Sequence, residues 1–154
     1  MSLVTIQIEN NAQNTNATAL PSPYGAKYDR ALSLKEISEK IREDIKTAKK
    51  EGLLPKELKC SVRAKQHGGG YRTIDLTVTA APFKIKNPGR EAQDARRGFE
   101  RGEERVERYT EQAEYTLGIL LGIYGAYNYD KSDPSTDYYH CNYGGGVGYH
   151  WELP

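Results

Sequence analysis

The chain contains 154 residues, a length typical of a single domain, so we expect one fold rather than two. Its 22 Lys and Arg residues nearly balance 21 Asp and Glu residues, and the formal net charge is +1. This balance argues against a polybasic protein that binds DNA or a membrane surface through charge alone. No apolar run approaches the roughly 18 residues that a membrane span needs, so we expect no membrane partner.

The N-terminal part of the chain predicts a strand followed by an arm. Val4, Ile6 and Ile8 alternate with polar residues, which is typical of a half-buried strand. Residues 10–28 are rich in Asn, Thr, Ala and Pro and indicate a flexible, extended arm. We therefore divide the chain into a strand and arm over residues 1–32 and a single α+β domain over residues 33–154.

The localisation follows from two further features of the sequence. The N-terminus lacks the basic and apolar regions of a secretory signal. The two cysteines, Cys60 and Cys141, do not form a disulfide framework and are expected to be reduced thiols. Together these features predict a cytoplasmic protein.

The first helix is predicted from its start signal and its apolar spacing. Ser33 and Glu36 have the spacing of a capping box. Apolar residues then recur three and four positions apart, at Leu34, Ile37, Ile41, Ile45 and Ala48. This pattern predicts an amphipathic helix of about four to five turns that ends at Gly52.

A β-hairpin is predicted after this helix. Cys60, Val62 and Ala64 alternate with polar residues, and the same alternation returns over residues 73–80. Three glycines at positions 68–70 separate the two runs and supply the positive φ angles that a tight turn needs.

The charged region after residue 90 predicts a long helix. Its apolar residues keep helical spacing as far as Tyr124, but Gly98 and Gly102 weaken the first half. We predict a firm helix over residues 102–124, preceded by a looser or separate helical piece. Gly118 and Gly122 form a face of small residues, against which either a second copy of the chain or the chain's own sheet can pack.

The last residues predict a second hairpin. Residues 138–143 indicate a strand, residues 144–146 a glycine turn and residues 147–153 the returning strand. Taken in chain order, the elements predict an α+β fold in which an antiparallel sheet of about four to five strands packs against two main helices.

Several of these segments resemble a known family. They are residues 59–63 (KCSVR) with the glycine turn, residues 73–78 (TIDLTV), residues 127–133 (YNYDKSD) and residues 137–139 (DYY). Behind a capped helix, this order resembles a small large-polyvalent-protein-associated domain of phage and conjugative-element proteins, over residues 33–143. The resemblance implies a mobile-element accessory protein that accompanies or protects incoming DNA or counters host defence, and it transfers no catalytic residue.

No motif of the chain predicts catalysis, a metal or a cofactor. The chain has no nucleophile elbow, no H-E-x-x-H pair and no Walker A lysine. His140, Cys141 and His150 lack the short-spaced pairs that zinc sites use. We therefore expect a binding protein rather than an enzyme.

Two groups of residues are candidates for binding. Tyrosine dominates the aromatic residues, with 12 Tyr against 2 Phe and 1 Trp. The predicted C-terminal hairpin would display aromatic residues of the kind enriched at protein interfaces, namely Tyr138, Tyr143, Tyr149 and Trp151. The tip of the first hairpin combines cations with an aromatic ring that can stack on a base, namely Arg63, Lys65, His67, Tyr71 and Arg72.

The leading hypothesis is a non-enzymatic phage or mobile-element protein that binds a macromolecular partner, with a host or phage protein such as a component of host defence as that partner. One alternative is a nucleic-acid-binding accessory protein that uses the basic hairpin tip. A second alternative is a sponge that sequesters a nucleotide messenger in the aromatic pocket of an oligomer.

Overall fold

The computed structural model of the chain describes residues 25–96, 101–129, 131, 133–136 and 140–154. Within these residues the order of elements is α1 (Leu34–Lys50), β1 (Lys59–Gln66), β2 (Arg72–Ala80), α2 (Pro88–Ala95), α3 (Glu111–Gly125) and β3 (Gly144–Tyr149). The predicted α+β class is confirmed. The predicted N-terminal strand, most of the arm and Tyr138 lie outside the described residues.

Helix α1 has the capped, amphipathic form that its sequence predicts. The Ser33 hydroxyl accepts a hydrogen bond from the Glu36 amide at 3.2 Å, and the Glu36 carboxylate accepts one from the Ser33 amide at 2.7 Å. The bonds from Ser33 hold the pKa of Glu36 below its usual value. Ile37, Ile41 and Ile45 are buried on one side of the helix, and the charged side chains lie on the other. The capping box and the apolar stripe therefore fix both the start of α1 and the face that it turns inward.

Strands β1 and β2 form the predicted antiparallel hairpin. Val62 lies opposite Leu76, and the turn Gly68–Gly70 joins the strands. Two glycines of this turn have φ angles of 75° and 81°, which glycine reaches without a steric penalty. The alternation and the glycine run were thus sufficient to predict this part of the sheet.

The predicted helix over residues 102–124 is wrong in its first half. Helix α3 begins only at Glu111, after Thr110, whose hydroxyl accepts a hydrogen bond from the Ala113 amide at 3.3 Å. The Thr110 amide in turn donates to the Ile85 carbonyl at 2.9 Å. Because the residues before α3 pair with the chain after β2, they cannot continue the helix. The separate helical piece expected upstream is α2.

The described part of the C-terminal region contains one strand, β3, which overlaps the predicted returning strand at residues 147–149. Strand β3 runs parallel to β2, with Val147 opposite Leu76, and the sheet order is β1-β2-β3. The glycines predicted to form a turn begin this strand, and residues 140–143 before it form no strand. The described sheet is therefore three-stranded and mixed, with three helices, rather than antiparallel with four to five strands and two helices. Glycine clusters indicate turns locally, but pairing with the free edge of β2 overrides that preference.

Helices α1 and α3 cover one face of the sheet. Ile37 and Ile41 of α1 and Leu120 of α3 share one apolar core with the inward side chains of β1 and β2. The Tyr124 hydroxyl lies 2.9 Å from the Ile74 carbonyl oxygen and 3.0 Å from that of Gly144. These hydrogen bonds hold α3 against the place where β2 and β3 meet. Both helices thus lie on the same face of the sheet, and neither contacts the opposite face.

Residues 25–32, the end of the predicted arm, are held against the domain. The Gly25 amide donates to the Gly125 carbonyl at 3.1 Å. The Lys27 ammonium lies 2.9 Å from the Asp44 carboxylate, which also accepts a hydrogen bond from the Tyr127 hydroxyl at 2.6 Å. These contacts join the segment to α1 and to the residues that follow α3.

The tyrosine hydroxyls predict how stability changes at alkaline pH. Burial raises the pKa of Tyr127, and its hydrogen bond to Asp44 adds to the effect. Burial also raises the pKa of Tyr149. In the unfolded chain both hydroxyls ionise near pH 10. Above about pH 10 the folded state therefore holds more protons than the unfolded chain does, and the free energy of unfolding falls as the pH rises. We expect the Tm to fall between about pH 9 and pH 11, and to fall less steeply in Tyr127→Phe.

The exposed Tyr115 provides the control for this experiment. Tyr115→Phe should keep the wild-type dependence of Tm on pH, because its hydroxyl lies on the surface of α3. Equal slopes for Tyr127→Phe and the wild type would contradict the role given to Tyr127.

Candidate binding surface

The sheet face that lies opposite the helices is the candidate binding surface, and we call it the open face. The alternation of side chains places these strand residues on it: Ser61, Arg63, Lys65, Thr73, Asp75, Thr77, Thr79, Gly144, Gly146 and Gly148. Both cations and the carboxylate are exposed. The open face is therefore polar, carries more positive than negative charge, and has little bulk along β3.

The hairpin tip brings cations and an aromatic ring together at one end of the open face. Arg63 and Lys65 form no salt bridge with a carboxylate of the described residues. His67 Nε2 lies 3.0 Å from Thr73 Oγ1, and the His67 ring centroid lies 5.5 Å from that of Tyr71. Tyr71 is 56% exposed. Two cations and one aromatic ring are thus available to a ligand at this end.

Strand β3 forms a strip without side chains along the open face. A Cβ atom added to Gly144 would lie 2.5 Å from the Tyr71 hydroxyl, so Tyr71 can occupy its position only over a glycine. A Cβ atom added to Gly146 or Gly148 would meet no atom within 4 Å. A flat group can therefore lie directly against the backbone of β3.

Aromatic rings also mark the other end of this strip. The His150 amide donates to the Val78 carbonyl at 2.9 Å, which continues the β2–β3 ladder and places the His150 side chain on the open face. Its ring stacks on Trp151 with a centroid distance of 5.8 Å, and Trp151 is 76% exposed. From Gly144 to His150 the strand extends about 20 Å. The open face is thus bounded by Tyr71 at one end and by the His150–Trp151 pair at the other.

The structure places the predicted aromatic site differently from the sequence. Tyr143 is only 2% exposed, its ring packs against Tyr124 and its hydroxyl donates to the Tyr124 carbonyl. Tyr149 is partly buried and donates to the Ala113 carbonyl at 2.6 Å. Both residues lie on the side of the sheet that faces the helices, contrary to their predicted place on an exposed hairpin. Of this group, Trp151 alone is largely exposed among the described residues.

Arg72 is separated from the other predicted cations. Its guanidinium donates to the Asn142 carbonyl at 3.0 and 3.2 Å, and to the Asn142 side-chain oxygen. Arg72 therefore anchors the chain before β3 to the start of β2. The structure places Lys65 and Tyr71 near the tip and Arg63 on the same face but further from it, opposite Asp75. It assigns Arg72 to the support of the sheet.

The sequence predicts only part of strand β3. It indicates a turn over residues 144–146 and a strand over residues 147–153, whereas β3 begins at Gly144 and ends at Tyr149. The pairing of β3 with β2, which brings its glycine face to this surface, has no local signal beyond the period-two spacing of Val147 and Tyr149.

Comparisons with models of protein families, with curated protein sequences and with solved structures found no match. The resemblance to large-polyvalent-protein-associated domains therefore stays a prediction. Among the described residues, no three His, Cys, Asp or Glu side chains are grouped so as to hold a metal ion. No helix in the described part of the chain is long and apolar enough to cross a membrane.

Proposed function

We propose that the protein is a non-enzymatic binding protein and that single-stranded nucleic acid is the macromolecular partner of its open face. The observation that carries this proposal is the combination on one sheet face of three features: cations that form no salt bridge with a described carboxylate, exposed aromatic rings, and a glycine strip. None of the described helices covers this face. For an accessory protein of a phage or mobile element, acting in the host cytoplasm, incoming DNA is such a partner.

Base stacking provides the main attraction in this proposal. Tyr71 is exposed over more than half of its surface, and Trp151 over three quarters. Each base stacked on an aromatic side chain contributes about 1–3 kcal/mol and needs no particular sequence, because every base has a flat face. The strip between the two rings leaves room for the intervening bases.

The cations contribute a smaller part. Arg63 and Lys65 can contact phosphates, while Asp75 in the middle of the open face opposes them. Two phosphate contacts on a single strand give a slope of log K against log salt of about −1.4. A near-neutral chain that binds mainly by stacking should therefore show a shallow salt dependence.

The experiment measures the fluorescence anisotropy of a labelled oligothymidine of about 12 nucleotides in about 50 mM salt. We expect binding by the wild type and a loss of affinity of about 5- to 150-fold in Tyr71→Ala, the equivalent of one stacked base. A variant with both Arg63→Glu and Lys65→Glu should lose affinity as well.

Two matched controls keep this experiment specific. Tyr115→Ala removes an exposed tyrosine from α3, and Lys40→Glu reverses an exposed charge on α1, both away from the open face. Both variants should bind oligothymidine like the wild type. No binding by the wild type, or an equal loss in Tyr71→Ala and Tyr115→Ala, would refute the proposal.

A protein partner, such as a component of host defence, is the second candidate. The observation in its favour is Trp151, a residue type that dominates interface energies and that is 76% exposed here. A host protein that the tagged wild type retains in a one-to-one ratio, and that the Trp151→Ala variant does not retain, would support a protein partner. The nucleotide-messenger sponge and a homo-oligomer stay predictions.

A further inference from the structure

A groove lies between α1 and the outer edge of β1. It has a volume of about 690 Å³, and Leu34 and Ser38 of α1 face Val62 and Ala64 of β1 across it. The groove is distinct from the glycine strip, because β1 and β3 occupy opposite edges of the sheet.

The floor of this groove is the outer edge of β1, which pairs with no other strand among the described residues. The His67 amide donates to the Tyr71 carbonyl, and hydrogen-bonded pairs alternate along an antiparallel ladder. Val62, Ala64 and Gln66 therefore direct their backbone N–H and C=O groups outward. Arg42 donates to the Val62 carbonyl at 2.6 Å, whereas no described residue bonds to the outward groups of Ala64 and Gln66. This part of β1 is open to pairing with another strand.

The groove is also strongly cationic for a chain of net charge +1. Four cations line it, against the single carboxylate of Glu39: Lys35, Arg42, Arg63 and Lys65. Such a local excess favours a negatively charged occupant.

We propose that this groove binds an extended, acidic segment of a partner protein, which adds to β1 as a further strand. Its main chain would pair with the outward groups of Ala64 and Gln66, and its carboxylates would reach Lys35 and Arg42. Arg42 is already held by the Val62 carbonyl and lies 3.5 Å from the Ser38 hydroxyl, so its remaining N–H groups are fixed in place for a carboxylate.

A peptide fits these groups better than a nucleic acid does. Strand addition uses the alternating main-chain donors and acceptors of Ala64 and Gln66, to which no described residue bonds. None of the residues that line the groove has an aromatic ring on which a base could stack. The chemistry of the groove therefore differs from that of the open face.

The position of Arg63 and Lys65 links the two surfaces. Both residues line the groove and also belong to the open face. An acidic segment in the groove should therefore compete with nucleic acid on the open face. This competition rests on the proposed function, but the binding of the peptide does not.

The experiment uses the full chain and a labelled peptide of about eight residues in which Thr and Glu alternate. A peptide with Gln in place of Glu serves as the neutral probe. We expect the Glu peptide to bind more tightly, and Ala64→Pro to weaken it at least about tenfold, because proline removes an outward N–H at an edge position that tolerates it. Lys35→Glu should weaken it severalfold, and Lys40→Glu on the far side of α1 should not.

Circular dichroism shows whether the Ala64→Pro protein folds. If it does not fold, the effect of Lys35→Glu on binding of the Glu peptide tests the proposal. Equal binding of the two peptides, or equal effects of Lys35→Glu and Lys40→Glu, would overturn the proposal. Tyr71→Ala should bind the Glu peptide like the wild type, so a failure of oligothymidine binding is separable from a failure of this inference. A groove that binds oligothymidine in an Ala64-dependent manner and ignores the peptide would also overturn it.

Discussion

Tyr143→Ala is expected to lower the free energy of unfolding by about 3–5 kcal/mol. The side chain is almost fully buried, and its ring packs edge-to-face on Tyr124 at a centroid distance of 5.3 Å. Its hydroxyl also donates to the Tyr124 carbonyl, so truncation removes a hydrogen bond and leaves a cavity. Urea unfolding followed by circular dichroism measures the difference.

Two variants separate the contributions to this effect. Tyr143→Phe keeps the ring and should cost only about 1 kcal/mol, the net value of the hydrogen bond. Tyr115→Ala removes an exposed ring from α3 and should change the stability by less than about 1 kcal/mol. A Tyr143→Ala protein as stable as Tyr115→Ala would contradict the burial of Tyr143 and would restore the exposed hairpin that the sequence predicts.

Gly145→Ala is expected to destabilise the protein by about 3 kcal/mol or more. Gly145 has a φ angle of 101°, which side chains rarely permit. An added Cβ atom would also lie 2.3 Å from the Ile74 carbonyl oxygen, a backbone atom of the central strand. Because this oxygen cannot move without shifting β2, the substitution should separate β3 from β2. Thermal and urea unfolding both report the loss.

The control lies three residues further along the same strand. A Cβ atom added to Gly148 meets no atom within 4 Å, and its φ angle is not in the left-handed region. Gly148→Ala should therefore stay within about 0.5 kcal/mol of the wild type. Similar stabilities for Gly145→Ala and Gly148→Ala would mean that β3 does not lie parallel to β2 in the described register.

The parts of the fold that could be predicted from the sequence are those with local signals. The capping box at Ser33 and the spacing of Ile37 and Ile41 lie within one helix, and the glycine turn joins two adjacent strands. Each of these features involves residues a few positions apart. No long-range contact is needed to recognise them.

The site was predictable only in part, for the same reason. Arg63, Lys65 and Tyr71 belong to one hairpin, so their place on one face of it follows from the local pattern. The position of His150 at the far end of the open face depends on the pairing of β3 with β2, which joins residues more than 60 positions apart. The local pattern groups Arg72 with the tip cations, because its partner Asn142 lies 70 positions further along the chain.

Local sequence was therefore enough to determine α1, the first hairpin and the cationic tip. Tertiary structure decided where the last strand lies, where α3 begins and which tyrosines are buried. The glycines of β3 show why: by themselves they favour a turn, and they become a strand because β2 offers an unpaired edge and Tyr124 and Tyr143 pack beneath it. Among the described tyrosines, Tyr124, Tyr127 and Tyr143 are buried near the end of α3, whereas Tyr28, Tyr71 and Tyr115 stay exposed. The glycine strip of β3 depends on pairing with β2 and is the feature that no local pattern could reveal.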